Sequence, residues 1–165
     1  MLYTGDAGGS FVPIEANQVS SSVAPFKRPY GWADSLYPYL RSTQMYQCPG
    51  EATTEPGVDA VQNGFTDYWM NANLSRAELK NIDSPAQSIL CGDGNDGFEG
   101  TSARYNHNFL PREWLGDENS PANRHLNVMN ILFADGHVRS LKASRIVTGA
   151  LHHDEAATFA LKGRE

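Results

Sequence analysis

Histidine and carboxylate side chains in this chain fall at spacings that invite chemistry. His125 stands ahead of Asp135 with nine residues between them. A carboxylate beside an imidazole raises its basicity and fixes its tautomer, as a general base or a metal ligand requires. A structural reading is favoured over that pairing. Asp135 is accounted for by the turn that Asp135-Gly136 predicts, and His125, just upstream of an apolar run, suits a hydrogen bond that pins the connection. No serine or cysteine is set beside them by a nucleophile elbow. Asp93, Asn95 and Asp96, within Asp93-Gly94-Asn95-Asp96-Gly97, offer calcium oxygen ligands on a glycine-bent loop. The loop is not an EF-hand, because Gly97 holds the fifth position and no glutamate closes twelve residues, and a solvated turn is the competing reading. His152-His153-Asp154-Glu155 reads as surface, since adjacent histidines on a helix diverge by about 100°. Cys48 and Cys91 lie in no zinc-type cluster, so no structural zinc site is expected. They are either two buried free thiols or one disulfide, which would close a loop of about 43 residues and stabilise by roughly 3–4 kcal/mol. A hydrolase using His107, His125 and His137 would need all three to converge on one metal at ~2.0–2.2 Å, which their spacing does not support.

The elements that must hold these residues are short. Met1 to Thr4 read as the last turn of a helix stopped by the glycines of residues 5–9. Trp32, Leu36, Tyr39 and Leu40 recur at helical spacing, with Pro38 expected to bend or end the helix. Met45 to Cys48 alternate briefly and predict a strand, as do Ser88 to Cys91. Ser75-Arg76-Ala77-Glu78 has the form of a capping box and predicts a helix start. Residues 51–64 and 98–123 read as polar loops. Between Asn127 and Lys142, Met129, Ile131 and Phe133 alternate up to Asp135-Gly136, and Val138 and Ser140 continue beyond it. That pattern predicts a hairpin with a two-residue type I′ turn and Phe133 opposite Val138. The tail from Ser144, with Ile146, Val147, Leu151, Ala156, Phe159 and Ala160, predicts one or two short helices.

The 165 residues are 40% hydrophobic, enough for one ordinary core and a single domain over 1–165. Fifteen glycines and nine prolines spread along the chain point to a loop-rich α+β fold. The net charge is −6 and the 13 basic residues form no run, which argues against nucleic acid as a partner. No stretch approaches the ~18 apolar residues that cross a bilayer.

The run from His125 through Asn130, Phe133, Asp135, Gly136 and His137 to Val138 resembles the signature of the prepilin-type His-x9-Asp-Gly domain family, whose members are similar to type II secretion pseudopilins and type IV pilins. Further blocks resemble the family in the same order: Trp32 to Leu40, Tyr46 to Pro49, Tyr68 to Asn71 and Ser84 to Asp93. The resemblance implies a pilin-like head, in which a small antiparallel sheet is centred on the Asp-Gly hairpin. It further implies a non-enzymatic filament subunit in the periplasm or at the cell surface. Pilin or pseudopilin partners would be engaged through an N-terminal apolar helix, which would also be the only link to a membrane. The family's leader, cleavage site and apolar helix have no counterpart here, and the isolated head is expected to be monomeric. No cofactor is expected, with calcium possible because related pseudopilins carry it near C-terminal loops. The alternative is an extracytoplasmic module that binds a glycan or secreted client through exposed Tyr30, Trp69 or Trp114.

Overall fold

The computed structural model describes residues 2–15, 30–51, 66–95, 101–151 and 156–162. Its character is mixed α+β: a five-stranded sheet with a few short helices and long connections. Helix α1 (Leu2–Asp6) ends in Gly8 and Gly9, both at positive φ, so a helical turn does occupy the start of the chain. It packs on α2 (Trp32–Leu40) through an edge-on contact of Tyr3 with Tyr39, whose hydroxyl donates to Asp6 at 3.0 Å.

Asp34 starts α2 by accepting the Gly31 N–H at 3.0 Å, the reach-back half of a capping box. The helix runs two residues past Pro38 and stops at Arg41, in the left-handed region with φ 53°. Its N-terminal end is the buried one, with Trp32, Ala33 and Asp34 inside, while Leu40 remains exposed.

The sheet contains β1 (Tyr68–Asn71), β2 (Ile89–Asp93), β3 (Asn106–His107), β4 (Met129–Phe133) and β5 (Val138–Leu141), in the order β3-β1-β2-β4-β5. All pairs are antiparallel except β1 with β3. Successive residues of β1 feed two apolar clusters. Trp69 joins Ile89, Trp114, Met129, Ile131, Phe133 and Phe159, whereas Met70 joins Phe11, Trp32, Tyr46 and Leu74. Period-two alternation thus covers both faces of the sheet.

The hairpin is present where the alternation places it, with Met129, Ile131 and Phe133 all fully buried. It forms one side of the sheet, not its centre: β2 is central and β5 is an edge. The turn also differs from a two-residue type I′ turn. Gly136 alone is at positive φ, +98°, its N–H donates to the Phe133 carbonyl at 2.9 Å, and Phe133 N–H donates to His137. This is a type I turn followed by a glycine bulge. The extra residue shifts the register, so Val138 faces Leu132 instead of Phe133.

Three other expectations are corrected. Residues Thr43–Tyr46 form a 3₁₀ turn and not a strand, because Tyr46 turns inward and its hydroxyl donates to the Ala33 carbonyl at 2.7 Å. Ser75 caps no helix; its hydroxyl accepts the Ile14 N–H at 3.0 Å, and the nearest helical turn is the 3₁₀ segment Leu79–Asn81. Among the described residues of the tail, a 3₁₀ turn (Ala143–Arg145) leads into a parallel pair, β6 (Ile146–Val147) with β7 (Ala157–Thr158), where helices were expected. The polar loop expected over 98–123 contributes β3 and a 3₁₀ turn, Arg112–Leu115, that buries Trp114. Residues 52–65 and His152 to Glu155 lie outside the described residues.

Candidate functional site

Cys48, Asp93 and His125, distant in sequence, meet at one end of the sheet. Cys48 follows the 3₁₀ turn Thr43–Tyr46, and its N–H donates to the Asp67 carboxylate at 2.8 Å. Asp93 is the last residue of central strand β2, opposite Tyr68 on β1. Its Oδ2 accepts the Asn130 N–H from β4 at 2.6 Å, so two neighbouring strands fix the carboxylate. His125 precedes β4 in a loop whose next two residues, Leu126 and Asn127, are both at positive φ, 60° and 63°. A leucine in that region is strained. The bend is held by His125 N–H donating to the Val128 carbonyl at 3.1 Å and by Asn127 N–H donating to Asn123 at 3.0 Å.

The imidazole is directed by its neighbours. His125 Nε2 lies 3.4 Å from Cys48 Sγ and 3.4 Å from Asp93 Oδ2. Both partners therefore converge on the same ring nitrogen. On the ring's other side sits Gly50, where a Cβ would fall 2.9 Å from Cε1 and 3.3 Å from Nδ1, so the close approach depends on glycine.

Arg124 supplies the local positive charge. Its guanidinium donates to the Gly94 and Asn95 carbonyls at 2.8 and 2.7 Å and pairs with Glu51. Asp67, fully buried, spans Cys48 N–H and the Asn95 side-chain amide, which donates to it at 2.7 Å. Burial pushes the Cys48 thiol upward, opposed by the Gly50 backbone and Arg124. Burial likewise raises the Asp93 carboxyl, opposed by the Asn130 N–H, His125 and Arg124. Desolvation disfavours the charged form of both groups, so they are protonated more readily than in water.

This arrangement is not a nucleophilic triad. A Cys-His-Asp relay needs the thiol on one imidazole nitrogen and the carboxylate on the other. Here both stand on Nε2, and the thiol is biased away from thiolate.

The other candidate residues are separated. Asp135 does not meet His125; its Oδ1 accepts from His137, with 3.1 Å to the backbone nitrogen and 2.6 Å to Nδ1. The His137 ring stacks on Phe133 with centroids 4.4 Å apart. Asn130 accepts the Ser140 hydroxyl across the hairpin at 2.7 Å. His107 lies 3.1 Å from the Tyr105 hydroxyl and edge-on to Trp69 and Trp114. His107, His125 and His137 thus have three different surroundings, which removes the geometric basis of a three-histidine metal centre. Of the aromatics expected to line a binding groove, Trp69 and Trp114 are core residues, 0% and 1% exposed, while Tyr30 is half-buried. Of the calcium candidates, the two described residues have different partners. Asp93 turns toward His125, Asn95 spends its amide on Asp67, and Asp96 lies outside the described residues. Cys48 and Cys91 are free thiols, and desolvation pushes Cys91 up to about 12.

Sequence reasoning singled out all three residues of the cluster but never as a set. No local spacing joins them. The signal available was indirect: each belongs to a different block of the family resemblance. No family model, curated protein or solved structure matches the chain.

Proposed function

We propose that this chain is the globular head of a pilin- or pseudopilin-like filament subunit, non-enzymatic and displayed outside the cytoplasm. One observation carries the reading: the sequence blocks that resemble the His-x9-Asp-Gly prepilin family coincide with the helix and with most strands of the sheet. Trp32 to Leu40 is α2; Tyr68 to Asn71, Ser84 to Asp93 and the His125 to Val138 run supply β1, β2 and the hairpin; and Tyr46 to Pro49 supplies Cys48.

On this reading the mechanism is assembly. Apolar N-terminal helices bundle in the filament core, and heads tile its outside through individually weak contacts. Helix α1 is consistent with that role: Gly5 and Asp6 are exposed and Tyr3 is half-buried on α2, so the element lies at the surface. Among the described residues no helix is long and apolar enough to cross a membrane. The anchoring helix would have to be encoded ahead of Met1.

The test is the reading frame upstream of the Met1 codon. A short charged leader followed by an apolar stretch of about 20 residues is expected. A start codon at Met1 with no continuous frame before it would overturn the proposal.

A further inference from the structure

We infer that Cys48, Asp93 and His125 form a binding site for one divalent transition metal, zinc above all, which ties three separate segments of the head together. The three donor atoms, a sulfur, a carboxylate oxygen and an imidazole nitrogen, lie within 4.8 Å of one another. Zinc takes these donors at ~2.0–2.3 Å, and two such ligands on a tetrahedral ion stand about 3.4–3.7 Å apart. The observed Nε2 distances to Sγ and to Oδ2 are both 3.4 Å. A thiol and an imidazole can hydrogen-bond at this separation, but 3.4 Å between Nε2 and Oδ2 is beyond an ordinary N–H···O bond.

The geometry favours a metal over a hydrogen-bonded knot in a second way. Without an ion, Nε2–H would have to be shared between Sγ and Oδ2 as a bifurcated bond, whereas one ion on Nε2 reaches both. Gly50 opens the space for the ring to reach this position. Donor softness narrows the ion: thiolate with imidazole suits zinc and its relatives, whereas calcium and magnesium prefer an all-oxygen set.

Charge agrees. A thiolate, a carboxylate and a neutral imidazole carry −2 together, which a divalent ion cancels. On binding, the Cys48 S–H bond breaks, the sulfur lone pair coordinates the metal, and the proton leaves to solvent. The supporting contacts are those of a metal site's outer shell: Asn130 N–H on Asp93 Oδ2, and Asp67 on the Cys48 N–H. The His125 side chain is 26% exposed, which leaves a route for the ion and for a water as fourth ligand.

The experiment uses the full chain, stripped with a chelator and titrated with Zn²⁺ by calorimetry and with Co²⁺ by absorbance. One ion per chain and a thiolate-to-cobalt charge-transfer band in the near ultraviolet are expected. Cys48→Ser, Asp93→Asn and His125→Gln should each weaken binding by at least about 100-fold. Cys91→Ser and the double change His152→Ala/His153→Ala should leave both stoichiometry and band intact. Should Cys48→Ser fail to fold, the Cys91→Ser protein decides, because Cys48 is then the chain's sole thiol. Absence of saturable binding, absence of the thiolate band in Cys91→Ser, or binding that survives His125→Gln would each overturn the assignment.

Discussion

Gly136 sits at φ +98° in the hairpin turn, a backbone conformation that residues with a Cβ rarely adopt. Gly136→Ala is expected to destabilise the protein by about 1–2 kcal/mol in urea unfolding. Gly116→Ala is the control, since Gly116 has φ −107° and open space around it, and its effect should stay within about 0.5 kcal/mol. The neighbouring Asp135 makes a pH-dependent contribution. The His137 backbone N–H, and then the His137 side chain, hold its carboxyl below the usual carboxylate range. A carboxyl lowered on folding stabilises fully above its unfolded value, near pH 4, and loses that contribution as pH falls through its folded value. Asp135→Asn should therefore lower the urea midpoint at about pH 6, and the gap to the parent should narrow as pH falls below about 4. A gap that does not change with pH would remove the carboxylate from the account. At this scale the sequence shows that the chain turns at Asp135-Gly136 but not how. Both candidate turns place glycine at positive φ, and the choice rests on the Asp135 backbone, whose side chain is committed to His137.

Asn71, at the end of β1, shows how the elements are joined. Fully buried, it donates through Nδ2 to the Ile89 carbonyl at 2.8 Å and the Phe159 carbonyl at 3.1 Å, while Oδ1 accepts the Asn73 N–H at 3.0 Å. One side chain thus links β1, β2 and the C-terminal tail. Asn71→Asp would aim a buried carboxylate at two carbonyl oxygens and should cost about 3 kcal/mol. Faster hydrogen exchange at Ala157 to Phe159 should accompany the loss, and a variant of unchanged stability would contradict this role. Element types were legible where the signal is local. The alternation of Met129, Ile131 and Phe133 needs only the face beneath it, and the helical stripe starting at Trp32 needs only its own period. Failures fall where a distant group decides. Ser75 resembles a cap but is engaged by Ile14, and Tyr46 leaves a strand-like alternation because its hydroxyl reaches Ala33. Ile146 and Val147, spaced as for a helix, pair with Ala157 and Thr158 instead. The candidate site is the extreme case, since Cys48, Asp93 and His125 lie in three segments that only the completed sheet brings together.

For the molecule as a whole, the filament reading requires a head that does not associate strongly by itself. Its sheet edges support that. β3 is two residues long, and β5 leaves Val138, Arg139 and Ser140 exposed, so one edge is short and the other carries a charge. Short or charged edges resist pairing with a second sheet. The net charge of −6 adds mutual repulsion between copies. Against these stand single exposed apolar side chains, chiefly Leu126 at 96% exposure, Val138 at 62% and Met45 at 58%. Each offers a small fraction of the ~800 Å² per partner that a stable interface buries. The chain should therefore elute as one species whose mass by light scattering is that of a monomer, 18.1 kDa. Raising salt to about 0.5 M screens the repulsion and distinguishes a charge barrier from a missing interface. A monomer at both ionic strengths means that the head lacks a strong self-complementary surface, as a subunit held by its helix requires. A dimer that survives dilution would place the main assembly contact within the head, and the helix-driven mechanism would fail.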